Sequence, residues 1–208
     1  MIGDSWGVDP AEMEIEFPCD HLPDDFDADY YRGVTVNASP ATTFRWLCQL
    51  RAAPYAYDWL DNWGRRSPRQ LIPGLENLEI GQTVMTIFNL IDFETDRQIT
   101  CRIKPRTSPS RLFGDVVVSY LIVPRSDREC RLLAKLRVSY PQGPMGWMMR
   151  AILPPGDLVM MRRQLLNLKK FSEHSAAARD LVRWLLILYS CLKRRFRSKS
   201  PSGNGETV

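Results

Sequence analysis

Trp46-Leu47-Cys48-Gln49-Leu50-Arg51 is followed closely by Tyr55-Ala56-Tyr57-Asp58-Trp59-Leu60-Asp61-Asn62-Trp63-Gly64-Arg65-Arg66-Ser67-Pro68. Large rings at 46, 55, 57, 59 and 63 bury a great deal of surface, while the acids and arginines between them must stay wet or paired. Just upstream, Ala38-Ser39-Pro40 opens a helix: Ser39 can cap free amides and Pro40 suits the first helical position. Phe44, Leu47 and Cys48 then recur at helical spacing. A second short helix is expected over 57–63, ending at Gly64. There Asp58 and Asp61 share a face and Arg65 lies four residues beyond Asp61. Asp58, Asp61, Arg65 and Arg66 are therefore the main polar group. They could hold a ligand head group or act as acid and base, or they could pin the short helices to a sheet.

Outward from this stretch the pattern is that of strands. Before it, residues 30–37 alternate through Tyr31, Arg32, Gly33, Val34, Thr35 and Val36 as a strand does. After it, 83–91, 98–104, 112–123 and 130–140 are rich in Val, Ile, Thr, Tyr and Phe and are separated by turn-like runs at 92–96 and 125–128. In the last of them Leu132, Ala134, Leu136 and Val138 alternate with Leu133, Lys135, Arg137 and Ser139, which predicts one buried and one wet face. Short connections imply an antiparallel meander. Past Gly143-Pro144 the chain turns helical. Pro154-Pro155 is expected to interrupt or kink it, with Asp157 starting the next segment. Leu158, Met161, Leu165 and Leu168 then form one apolar stripe. No internal repeat is present.

The order of residues in 46–66 resembles the SRPBCC family, the START-like and polyketide cyclase/dehydrase-like proteins. One bacterial branch carries Trp-x-Leu-x-Gln and then a Tyr-Ser-Tyr-Asp-Trp-Leu-Asp-Asn-like run ending in Gly-Arg. Here Ala56 stands where Ser is usual, and Leu50-Arg51 where a Gly-containing turn is more common. The resemblance implies an α+β helix-grip fold over about 29–173, an antiparallel sheet wrapped around a long C-terminal helix with an internal cavity between them. The implied lining is Phe88, Leu90, Val116, Val118, Tyr120, Leu136, Trp147, Met148, Met161 and Leu165. Met145, Met148, Met149, Met160 and Met161 crowd the helical region, and thioethers suit a permissive apolar pocket as well as a plain core. The family's functions are diverse. The expectation is noncatalytic binding of a small hydrophobic or amphipathic ligand, such as a lipid, isoprenoid or polyketide-like compound, with Tyr120 and arginines at its head group. The alternative is a cyclase/dehydratase-type enzyme whose cavity acid or tyrosine steers proton transfer.

Composition narrows the classes further. The 208 residues suffice for one domain with tails. No run is long and apolar enough to span a membrane, and residues 1–9 lack the pattern of a secretory signal. Cys19, Cys48, Cys101, Cys130 and Cys191 are scattered and never form Cys-x-x-Cys, which points to reduced thiols in a cytosolic protein. Only His21 and His174 could join them at a metal, so no metal and no cofactor is expected. Gly-x-Ser-x-Gly, phosphate-loop and dinucleotide motifs are missing.

Charge is strongly polarised. Residues 1–30 hold ten acids and no base, and 162–208 hold eleven bases and three acids. The expected organisation is an acidic, irregular arm over 1–28, the domain over 29–173, an amphipathic basic helix over 174–199 and a flexible end over 200–208. Arm and tail could attract one another or serve separate partners. In the tail, Trp184 and its apolar neighbours with Lys193, Arg194, Arg195 and Arg197 suit peripheral contact with anionic lipid, docking on the domain, or a partner helix. Nucleic acid is not expected, because the bases are confined to one tail without a recognised module.

Overall fold

A computed structural model describes residues 3–61 and 64–197, apart from the side chains of 60, 61, 183 and 187–197. Its strands are β1 (Ser5–Trp6), β2 (Ala28–Val36), β3 (Thr83–Val84), β4 (Phe88–Glu94), β5 (Gln98–Ile103), β6 (Asp115–Ser126) and β7 (Glu129–Ser139). Its helices are α1 (Pro10–Met13), α2 (Pro40–Cys48), α3 (Asp58–Asp61), α4 (Ser108–Phe113) and α5 (Pro144–Arg197). The strands form one sheet in the order β1-β2-β7-β6-β5-β4-β3, antiparallel except where β1 joins β2. This is an α+β helix-grip architecture, with the sheet closed over one long helix.

Most strand boundaries follow the alternation, and the departures have local causes. The 83–91 strand is broken because Met85 and Thr86 adopt left-handed φ values of 47° and 67°, separating β3 from β4. Residues 108–113 are helical, so the expected 112–123 strand starts only at Asp115. The Thr107 hydroxyl caps α4 by accepting from the Ser110 amide, and Pro109 falls in the first turn. At α2 the Ser39 hydroxyl accepts from the Thr42 amide, as the sequence predicts.

The sheet is buried on both faces. Val34, Val36, Val118, Tyr120, Leu132, Ala134 and Leu136 face α5 and its Met161, Leu165 and Leu168. The opposite face, expected to be wet, is covered by the N-terminal arm: Phe17 and Cys19 pack on Val117, Leu121 and Leu133. Charge then locks the arm in place. Glu12 pairs with Arg131 at 2.6 Å, Asp20 with Lys135 at 2.5 Å and Asp24 with Arg102 at 2.9 Å, while Asp29 of β2 pairs with Arg137 at 3.2 Å. The Cys19 amide donates to Ser119 Oγ at 3.1 Å. The arm is thus a structured outer layer, and its acids meet bases of the sheet.

At its prolines the helix is not interrupted. Pro154 and Pro155 lie inside α5 without ending it, and the helix runs unbroken through residue 174 into the basic segment. Two donors are lost at the prolines. Tertiary packing outweighs that cost: Met149 is buried before them, Asp157 is ion-paired after them, and Gly3 of the arm lies against Pro154.

Candidate functional site

Strand register places the inward-facing residues in rows across the concave face. Arg32, Ala134, Tyr120 and Ile99 lie side by side on β2, β7, β6 and β5. The next row is Tyr30, Leu136, Val118, Cys101 and Leu90. Phe88 pairs with Ile103 and Val116 with Val138 at the end beyond. Phe88, Leu90, Val116, Val118, Tyr120 and Leu136 therefore share one surface, with Met161 and Leu165 among the helix residues packed on it. Trp147 and Met148 do not join them, being 77% and 38% exposed. Met149 is buried instead.

Within this apolar face two polar groups flank Ala134, whose methyl leaves room on both sides. On one side the Tyr120 hydroxyl donates to Gln164 Oε1 at 2.6 Å, and Gln164 Nε2 donates to the Pro54 carbonyl at 2.7 Å. The Met85 sulfur lies 3.7 Å from the Tyr120 hydroxyl and 3.2 Å from Gln164 Nε2. The Met161 sulfur also lies 3.7 Å from that hydroxyl. On the other side Arg32 Nη2 donates to Asp157 Oδ2 at 2.8 Å, with the two side chains 1% and 10% exposed. Arg32 Nη1 donates to the carbonyls of Asp4 and Tyr31, while its Nε is buried with no hydrogen-bond partner among the described residues.

Burial sets the protonation of this cluster. It raises the Asp157 carboxyl to about 6, against the opposing pull of Arg32. It keeps the Tyr120 phenol neutral, helped by the nearby Cys101 and Asp157. Tyr30 and Tyr140, whose hydroxyls lie 2.5 Å apart, are also pushed upward by burial. Cys19 and Cys48 rise to about 11 and 12 for the same reason, so these thiols are inert rather than nucleophilic.

The aromatic-rich stretch packs on the middle of α5. Trp46 stacks on Phe171 with ring centres 4.9 Å apart, and Trp46 Nε1 donates to Ser175 Oγ. Asn167 Nδ2 donates to the Tyr55 carbonyl at 2.8 Å, holding Tyr55 at a φ of 59°. The Asp58 carboxylate accepts from Ser67 Oγ at 2.5 Å. Arg65 and Arg66 are exposed, and the Asp61 side chain lies outside the described residues. Of the tail candidates, Trp184 is 57% exposed, and the side chains of Lys193, Arg194, Arg195 and Arg197 lie outside the described residues.

Four residues central to the cluster were not singled out by sequence: Arg32, Met85, Asp157 and Gln164. Arg32 is at an inward position of a period-two strand, and Asp157 and Gln164 lie on the apolar stripe of α5. A charge or amide at such positions is the signal that marks them. Two surface clefts, of about 500 and 470 Å³, lie outside the grip. The larger runs between the arm and the outer face, bordered by Ile15, His21, Gln98 and Leu121.

No family model and no curated protein matches the sequence. The likeness is to solved structures. One is a hypothetical protein of Helicobacter pylori, with a TM-score of 0.50 and 14% identity over 76% of this chain and 95% of that one. Another is the Zhui aromatase/cyclase of Streptomyces sp. R1128, with a TM-score of 0.44 and 13% identity over 70% and 93% of the two chains. A Thermobifida fusca protein solved by NMR has a TM-score of 0.42 and 12% identity over 69% and 94%. The likeness is one of fold, a helix-grip architecture. Among the described residues, no helix is long and apolar enough to cross a membrane.

Proposed function

We propose that the interior of the grip binds one small, mainly apolar molecule of the lipid, isoprenoid or polyketide-like class, with its oxygen-bearing head at Tyr120 and Gln164. The observation that carries this reading is the place of the Met85 sulfur. A thioether is a weak acceptor, yet it occupies the position that the second N–H of Gln164 Nε2 addresses, beside a Tyr120 hydroxyl whose one proton goes to Gln164 Oε1. A ligand carbonyl or hydroxyl taking that position gains a stronger hydrogen bond. Met85 can leave, because it is only half-buried and sits with Thr86 in a left-handed segment between two strands. The walls it would vacate are apolar: Leu90, Val118, Leu136 and Met161.

Native mass spectrometry of the purified chain, followed by solvent extraction, tests the proposal. The expected result is one apolar molecule with an oxygen head per chain. Met85→Ala should raise the occupancy, and Tyr120→Phe with Gln164→Leu should lower it. An empty wild type and an empty Met85→Ala would overturn the reading. So would ligand binding indifferent to all three substitutions, which would place the ligand elsewhere, as in the outer cleft.

The raised Asp157 carboxyl beside a neutral Tyr120 favours a second reading, a cyclase/dehydratase-type enzyme. In that case the extracted molecule from Asp157→Asn would be heavier by one water than that from wild type. Identical masses remove this reading and leave binding alone.

A further inference from the structure

We infer that the outer side of α5 is a binding face for an anionic lipid surface, on which the helix lies in the membrane plane. The face is defined by exposure along the whole helix. Met145, Met148, Ile152, Val159 and Leu166 are 38–53% exposed on the domain's part of α5, where burial of apolar side chains is the rule. Leu181, Trp184 and Leu185 are 51–58% exposed on the part beyond it. At about 100° per residue these eight positions fall within a band about 100° wide, although they span forty residues of helix. The band lies opposite Met161, Leu165 and Leu168, which face the sheet. The band is apolar at its two ends and carries Arg163, Lys170 and His174 between Val159 and Leu181, while Trp147, Val182 and Leu186 are exposed outside it.

Charge selects the occupant. α5 carries eleven bases and only three acids, Asp157, Glu173 and Asp180. On the same angular count none of the three acids falls within the band. Lys193, Arg194, Arg195, Arg197 and Lys199 follow the last apolar turns, and no acid occurs between Leu181 and Gly205. Two copies pairing through such a helix would set these bases against one another. An anionic headgroup layer neutralises them while the band enters the acyl boundary, and Trp184 sits where an aromatic ring with one polar edge is favoured. Spanning is excluded on length. The apolar run 181–192 is about 18 Å of helix against a hydrocarbon core of about 30 Å.

Flotation of the full-length protein with vesicles provides the test. The probes are phosphatidylcholine alone and phosphatidylcholine with about 30 mol% phosphatidylglycerol. The protein should float with the anionic vesicles only, and added salt should release it. Leu181→Glu/Leu185→Glu, on the band, should reduce the bound fraction at least about tenfold. Val182→Glu/Leu186→Glu, on the other side of the same turns, should leave it within about twofold. All four positions are exposed, so the melting temperature of each variant should match wild type and rule out misfolding. No flotation with anionic vesicles would overturn the inference. Equal losses from the two double variants, or a dimer in light scattering that is abolished with the vesicles untouched, would do the same.

Discussion

At the residue scale, Asp157 is the group whose chemistry is most altered by folding. Its carboxyl titrates at about 6 in the folded chain, because burial outweighs the neighbouring Arg32. An unfolded aspartate titrates near about 3.9. Between these values the folded state holds a proton that the unfolded state has released. Its contribution to stability is therefore fully present below about pH 4 and lost as pH rises through 6, amounting to about 3 kcal/mol at most. Asp157→Asn should flatten the stability curve between pH 4 and 7. Denaturant unfolding of the two proteins across that range reads the difference directly. A wild type that gains stability relative to the variant on going from pH 4 to 6 would contradict the account. Tyr120→Phe acts through a separate cause. It leaves Gln164 Oε1 buried without its donor and should cost about 1–3 kcal/mol at any of these pH values.

At the element scale, the arm over 3–27 decides whether the outer face of the sheet is covered. Arg131 gathers it with two hydrogen bonds to the Glu12 carboxylate and one to the Gly7 carbonyl at 2.6 Å. The arm crosses β2 where Gly33 has no side chain. A methyl there would lie 2.8 Å from the Val8 side chain and 2.9 Å from both the Gly7 carbonyl and Arg131. Gly33→Ala should lift the arm, expose Leu121 and Leu133, and make the arm the first site of limited proteolysis. A variant as resistant as wild type would show that the crossing has slack. Acid should act similarly. The Arg131 guanidinium holds the Glu12 carboxyl below its ordinary range, so this stabilisation is present above about pH 4.5 and lost as pH falls below it. The alternation of β7 was legible from Leu132 to Val138, and the face it buries against α5 was read correctly. Its second face was read as wet because the partners of Lys135 and Arg137 lie more than a hundred residues earlier. Periodicity reports which side a residue takes, and it is silent on what distant segment covers that side. Ten acids in residues 1–30 and the alternating bases of the strands were the available clue.

At the scale of the whole molecule, the concave rows followed from strand alternation plus register, which is why six of the strand positions expected at the site share one surface. The polar pairs across them did not follow, because Tyr120 meets Gln164 and Arg32 meets Asp157 only once α5 is seated on the sheet. Seating has a definite end. Among the described residues, the last polar contacts of α5 with the domain are Arg179 with the Thr42 hydroxyl and Asp180 with Arg128 at 3.3 Å. Beyond them Leu181 to Leu186 are exposed wherever their side chains are described. A helical segment of that length draws little stability from propensity alone. Amides beyond Asp180 should therefore exchange with solvent orders of magnitude faster than those of 157–172, which sit between the sheet and solvent in the packed stretch. Removing 181–208 should shift the melting temperature by less than about 2 °C, since the described side chains of that segment are exposed. Slow exchange in the extension, or a large drop on truncation, would mean that the extension is held against the domain. The rigid grip and its projecting helix would then be one cooperative unit rather than a folded body carrying an independently responsive arm.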